Sequence, residues 1–376
     1  MKILIAPDSF KGSLTAGDAA AAIAAGVQQA VPGADCVLLP AADGGEGTME
    51  NLVNATGGHT VSIMAEDPIG RMVSARYGVL GSETACVIEL AESSGLMRLL
   101  SDEYAPLTAS TYGMGQLLRH ALDEGHRNFL IGLGGSATTD GGAGLLQALG
   151  MQLLDSRGEE LPRGGAALAQ LQEIRMESFD PRIAACTFRI ACDVTNPLIG
   201  PGGAAAVFAP QKGAGREDVV RLETGLTQFL QVIERATGQD LSLTPHTGAA
   251  GGTGAAFAAF FPAEFQPGID LVLEALLFRH HLQDADLVIT GEGRSDQQTL
   301  AGKAPDGIAR IADEYGVPAV LLSGMIDEQA IPLLQARFSS LHSLVTPHVT
   351  RLQAMADAEY LLQQTAYRIL KERVDG

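Results

Sequence analysis

Hydrophobic and polar positions along this 376-residue chain fall into two rhythms. At both ends, short apolar runs alternate with helical spacing. Lys2–Ala6 reads as a strand that stops at Pro7, and Thr15 with Asp18 opens a helix burying Ala19, Ile23, Val27 and Ala30. Val37–Leu39 reads as the next strand. The same alternation returns from Gly268, with strands at Asp286–Thr290, Ala319–Leu322 and Leu341–Val345 and a helix running to Tyr315. The middle behaves differently. Arg71–Leu80 alternates as a half-buried strand, turns at Gly81-Ser82 and continues as Thr84–Leu90, which is the pattern of a hairpin. A second hairpin turn is expected at Asp155–Gly158, and Arg216–Ala236 reads as a long amphipathic helix. The fold class is therefore α/β. A discontinuous doubly wound (Rossmann- or flavodoxin-like) parallel-sheet domain is expected from residues 1–65 and 283–376. An inserted α/β domain with a mixed sheet is expected from residues 66–282, with the active site in the cleft between the two.

One stretch organises the candidate chemistry. In Asn128–Leu149, the strand residues Phe129, Leu130, Ile131 and Leu133 lead into Gly134, Gly135, Ser136, Thr138, Thr139 and Asp140. Gly141, Gly142 and Gly144 follow, and then Leu145, Leu146 and Leu149 at helical spacing. Strand, glycine-and-hydroxyl loop and helix start is the layout that turns unpaired N–H groups toward an anion. We read it as phosphate-facing; the competing reading is an ordinary βα turn with Asp140 as N-cap. No Gly-Lys-Ser/Thr follows, so it is not a Walker A loop. Gly248–Gly254, which includes Gly251 and Gly252, opens an alanine-rich helix and offers a second such N-terminus.

Further polar loops fall at strand ends, where open α/β sheets bind ligands. They are Asp8–Ser13 with Ser9 and Lys11, the run Asp43-Gly44-Gly45-Glu46, and Gly291–Asp296 with Glu292, Arg294 and Asp296. The strand Thr187–Cys192 delivers Asp193 to its end, followed by Thr195-Asn196-Pro197. Asp193 can equally be a turn former there. Lysine is scarce, five against twenty arginines, and Lys11, Lys212 and Lys303 each adjoin a glycine in a loop. A compact ammonium is thus reserved for these loops. The histidines show no ligand spacing and are read as structural.

A net charge of −19 argues against nucleic acid or an anionic membrane as partner. The four cysteines, Cys36, Cys86, Cys186 and Cys192, lack metal-ligand spacing and read as buried thiols of a reducing, cytoplasmic compartment. The uncharged run Thr247–Ala263 is too glycine-rich for a membrane span.

Five motifs in order, Ala6–Ser13, Ala42–Thr48, Gly132–Gly144, Ala191–Leu198 and Thr290–Arg294, together resemble the bacterial glycerate kinase family, the glycerate 2-kinase type. Phe10 and Gly12 depart from the residues many members carry and touch none of the proposed chemistry. The resemblance implies a two-domain α/β fold and phosphorylation of D-glycerate by MgATP, mostly to 2-phosphoglycerate, with 3-phosphoglycerate as the alternative product. A non-catalytic sugar-acid or nucleotide-binding regulator is the competing class, and association into a homodimer is left open. Phosphoryl transfer is mainly positioning and charge neutralisation, which distributes the candidates. Asp193, Lys11 and Lys303 are the catalytic choices. Gly134, Gly135, Ser136, Thr138, Lys212, Gly251 and Gly252 are assigned to phosphate or nucleotide. Asp8, Ser9, Asp43, Gly44, Gly45, Asn196 and Arg294 are assigned to glycerate, and Glu292, Asp296 and Glu46 to Mg²⁺. At least two of the carboxylates are expected only to cap helices.

Overall fold

The structure is a computed structural model that describes residues 1–42, 47–81, 85–300 and 302–375. Two compact units divide the chain. One comprises Met1–Asp43, Asn54–Thr56 and Pro267–Gly376, the other Gly44–Val53 and Gly57–Gln266.

The first unit is built on five parallel strands. Lys2–Pro7 lies centrally, with Asp35–Leu38 on one side and Leu287–Gly291, Ala319–Ser323 and Ser340–Ser343 in succession on the other. Numbered within the unit, the spatial order is 2-1-3-4-5, the flavodoxin-like order of a doubly wound sheet. Alternation divides the core between the two faces. Ile3, Ile5, Leu287, Ile289, Val320 and Leu322 pack against the helices Ala16–Ala30 and Ala358–Asp375. The helix Ala304–Glu314 packs on the same three central strands and against Gly268–Ala275. Thr15 caps the first helix, its hydroxyl accepting from the Asp18 amide at 3.1 Å as its sequence predicts.

The second unit carries a six-stranded mixed sheet. Ala263–Gln266, Thr187–Ala191, Asn128–Gly132 and Cys86–Glu89 run parallel, and Met72–Val79 and His59–Glu66 complete it antiparallel. Phe129 and Phe188 stack at 5.1 Å, and Phe257 and Phe261 close around Phe188, so the central strands are pinned by aromatic packing. The hairpin forms as Val79 against Cys86. The longer partner of Met72–Val79, however, is the edge strand His59–Glu66. Its inward residues Val61, Ile63 and Ala65 alternate with Thr60, Ser62 and Met64, a period-two signal diluted by polar edge positions. That strand therefore pairs wholly within the second unit, while the helix Gly268–Ala275 belongs to the first. Against the expected boundaries at 65/66 and 282/283, residues 44–53 and 57–65 fall in the second unit and residues 267–282 in the first. The hairpin through Asp155–Gly158 forms, with Leu154 bridging Glu160 and the Leu161 amide donating to the Leu153 carbonyl at 2.8 Å, and Gln152–Leu154 pairs on its other side with Glu173–Arg175.

Candidate active site

In a 2-1-3-4-5 sheet the chain leaves the first and third strands in opposite directions, which opens a crevice at their carboxyl ends. Here those ends carry Asp8–Lys11 and Glu292–Arg294. The Asp8 amide donates to the Gly291 carbonyl at 2.8 Å, which ties the two loops together. A Cβ built on Gly293 would stand 3.2 Å from the Lys11 amide nitrogen, so the Lys11 backbone passes directly beside it. Asp8 and Ser9 are half-buried and Lys11 is exposed. Glu292 is buried, and its Oε1 accepts from the hydroxyls of Thr299 at 2.7 Å and Ser295 at 3.0 Å. Its Oε2 accepts no hydrogen bond among the described residues and faces the Lys303 ammonium at 4.0 Å. Burial pushes the Glu292 carboxyl above its ordinary range, against the pull of Thr299, Lys303 and Ser295. Arg294 is exposed and reaches Asp327 at 3.4 Å and Asp296 at 3.9 Å. Asp296 is committed to its own turn, accepting from the Gln298 amide at 2.8 Å. These contacts bring Asp8, Ser9, Lys11, Glu292, Arg294, Asp296 and Lys303 into one neighbourhood of the first unit.

The glycine-rich stretch of the second unit departs from its expected behaviour at one point. Asp140 is fully buried and takes up the donors at the helix start. Its carboxylate accepts from the amides of Thr111 at 2.8 Å and of Gly142 and Gly144 at 3.2 Å, and from the Thr111 hydroxyl at 2.9 Å. That hydroxyl in turn accepts from the Leu145 amide at 2.9 Å. The N-terminus of the helix Ala143–Ala148 is therefore closed from within, and the expectation of free helix N–H groups aimed at an anion is corrected there. Burial pushes the Asp140 carboxyl upward, opposed by these donors.

The anion-facing part is instead the loop before it. Gly134 and Gly135 are exposed, and the amides of Gly134, Gly135 and Ser136 have no hydrogen-bond partner among the described residues. Gly135 sits at φ +71°, a conformation that turns the loop there and disfavours a side chain. Lys212 lies beneath the loop. It is buried, and its ammonium donates to the Ser136 hydroxyl and the Thr138 carbonyl, each at 2.6 Å. Burial pulls its pKa down to about 7, with Asp140 opposing. The hydroxyls of Thr138 and Thr139 are buried without partners among the described residues. Gly251 and Gly252 are buried against the same loop. A Cβ on Gly251 would fall 1.9 Å from the Thr138 carbonyl oxygen, and the Gly251 carbonyl accepts from the Gly141 amide at 3.0 Å. Close backbone packing accounts for these glycines, and Ala250 beside them is also left-handed.

Asp193 is exposed, two residues past the end of Thr187–Ala191. Gly132 pairs with Ala191, so Gly134 and Asp193 leave neighbouring strands at the same sheet edge, about 5 Å apart strand to strand. Asn196 donates through its side chain to the Gly202 carbonyl at 2.8 Å. Asp43, Gly44, Gly45 and Glu46 lie outside the described residues. Among the described residues no group of three or more His, Cys, Asp or Glu side chains is arranged around a metal position. Sequence reasoning missed Glu89, a buried carboxylate at the end of Cys86–Glu89 that accepts from the Met49 amide at 2.8 Å. Its signal was available, since a glutamate closing an apolar strand is rare without a partner.

One unit carries a flavodoxin-like sheet with cations at its switch point and the other a mixed sheet ending in a glycine loop, which makes the chain a two-unit α/β protein. The comparisons give that class a family. The glycerate kinase family matches residues 3–373. A glycerate kinase of Halalkalibacterium halodurans is 45% identical over 98% of this chain and 97% of its own. The glycerate 2-kinase of Escherichia coli is 43% identical over 92% of this chain and 91% of its own. A crystal structure described as glycerate kinase 2 from Salmonella typhimurium LT2 superimposes with a TM-score of 0.92 at 44% identity, covering 100% of this chain and 99% of that one. The chain belongs to the glycerate kinase family.

Proposed function

We propose that the protein transfers the γ-phosphoryl group of ATP to D-glycerate, forming 2-phospho-D-glycerate and ADP. The observation that carries this reading is the 43% identity with a glycerate 2-kinase across 92% of the chain. Asp193 accepts the proton of the glycerate hydroxyl as its oxygen bonds to phosphorus and the bond to the ADP oxygen breaks. The free amides of Gly134, Gly135 and Ser136 bind phosphoryl oxygens, with Thr138 and Lys212 shaping that loop and Gly251 and Gly252 packing behind it. Lys11, Lys303 and Arg294 neutralise charge on the phosphates and the glycerate carboxylate, and Asp8, Ser9 and Asn196 orient glycerate. Where Mg²⁺ enters with ATP as part of that substrate, Glu292, whose Oε2 accepts no hydrogen bond among the described residues, would meet it. The negative net charge accords with small-molecule rather than nucleic-acid ligands, and the four free cysteines accord with the cytoplasm. No helix among the described residues is long and apolar enough to cross a membrane.

A coupled assay with D-glycerate, ATP and Mg²⁺ tests the activity through ADP release, and phosphorus NMR of the product distinguishes the 2-phosphate from the 3-phosphate. Tight glycerate binding without ADP release would refute the kinase and favour a regulator.

A further inference from the structure

His246 carries a combination of features that its isolated place in the sequence did not announce. Its backbone is left-handed, at φ +69°, one of three such non-glycine residues among those described. The imidazole stacks flat on Phe265, with centroids 5.4 Å apart and planes 8° from parallel. Its Nδ1 lies 2.8 Å from the carbonyl oxygen of Val194. A carbonyl only accepts, so Nδ1 must carry the hydrogen and donate, which fixes the tautomer of the neutral ring. The next residues reinforce the contact. The Gly248 amide donates to the Asn196 carbonyl at 2.9 Å, and a Cβ on Gly248 would meet the Pro197 carbonyl oxygen at 2.2 Å. Two backbone carbonyls of the segment after Asp193, at Val194 and Asn196, are thus held by one turn around His246. Phe265 stands on Ala263–Gln266, the strand adjoining Thr187–Ala191, with Phe265 paired to Ile190. The ring therefore bridges the sheet itself and the loop that leaves it.

We infer that His246 is a positioning residue for Asp193: it fixes, through the Val194 carbonyl, the loop that presents the carboxylate to the substrate hydroxyl. The inference rests on the reading of Asp193 as the proton acceptor. The left-handed backbone, the stack and the hydrogen bond coincide at this one residue, and such local strain is held where the surroundings over-determine it. The Val194 carbonyl also accepts from the Cys192 thiol at 3.3 Å, and the segment is exposed at Asp193 and Thr195. Displacing a reacting group by about 1 Å costs on the order of a hundredfold in rate, so a small loosening here is catalytically visible.

The test uses the full chain with D-glycerate and MgATP, measuring kcat, KM and Tm. His246→Asn retains a donor at the place of Nδ1 and tolerates the left-handed backbone, and should keep kcat within about threefold of wild type. His246→Phe keeps the stack but not the donor, and should lower kcat about tenfold or more with KM changed less than about twofold. His246→Gln, whose amide falls at the place of Nε2, carries the same arm if Phe does not fold. In an Asp193→Asn background, His246→Phe should lower kcat by less than about twofold more, because it acts through the group already removed. Equal losses in both backgrounds, or a normal kcat for both the Phe and Gln variants, overturn the inference. A near-normal kcat for Asp193→Asn alone overturns the reading of Asp193, and this inference with it.

Discussion

The ammonium of Lys212 sits 2.6 Å from the hydroxyl of Ser136, inside the second unit rather than at its surface. Its second donor contact, to the Thr138 carbonyl, makes the lysine a brace across the loop that presents the free amides. Any influence on a bound phosphate is exerted through that loop as well as through charge.

Lys212→Met tests the brace and its titration. The folded-state pKa is near 7, against 10.5 for an unperturbed lysine. Between these values the unfolded chain binds the proton more tightly, so the cost of burying the charge is fully present below pH 7 and is relieved as pH rises toward 10.5. Thermal unfolding of wild type and variant from pH 6 to 10 should show wild type gaining on Lys212→Met over this window. The KM for ATP of the variant should rise several-fold. A constant difference in Tm across the window would contradict the buried titrating lysine.

Asp193→Asn keeps size and hydrogen bonding but cannot accept a proton. Its kcat should fall by about 10²–10⁴ with a modest change in KM. Calorimetry should place its melting within a few degrees of wild type, as befits an exposed loop residue.

Asp140→Asn should do the opposite. The amide turns two hydrogens toward amides that need an acceptor, leaving buried donors unpaired at two helix starts. A loss of about 3 kcal/mol or more in denaturant unfolding is expected. If the variant is as stable as Asp193→Asn, the closed helix start has been misread.

Glu292 offers a pH test of the opposite sign from Lys212. Its folded pKa is raised by burial, so between 4.5 and that raised value the native state holds the proton more tightly. Glu292→Gln keeps an oxygen acceptor for Ser295 and Thr299 and removes the titration. Wild-type stability should therefore decline relative to the variant as pH climbs above 4.5. Lys303→Ala should sharpen that decline, since the ammonium 4.0 Å away opposes it together with the Thr299 and Ser295 hydroxyls. Its activity should fall with little loss of Tm, because Lys303 is partly exposed and its pairing is weak.

By itself the sequence determined the periodic elements and their chemistry at strand ends. Apolar runs such as residues 3–6 and 287–290 are buried on both faces, and burial of that kind leaves a continuous hydrophobic signature. A five-motif resemblance similarly carried the family, because each motif is contiguous. Tertiary structure alone decided which groups were already spent. Thr111 lies twenty-nine residues from Asp140, and only folding reveals that it helps consume the donors at the Ala143–Ala148 helix start. Lys212 reaches Ser136 across seventy-six residues, so its burial could not be read locally. His246 read as an isolated structural histidine for the same reason, fifty-two residues from the carbonyl it holds. Local propensity and pattern act over one turn or one strand. Hydrogen-bond satisfaction is a condition on the whole packed interior, and it is met by partners that the chain brings together only when it folds.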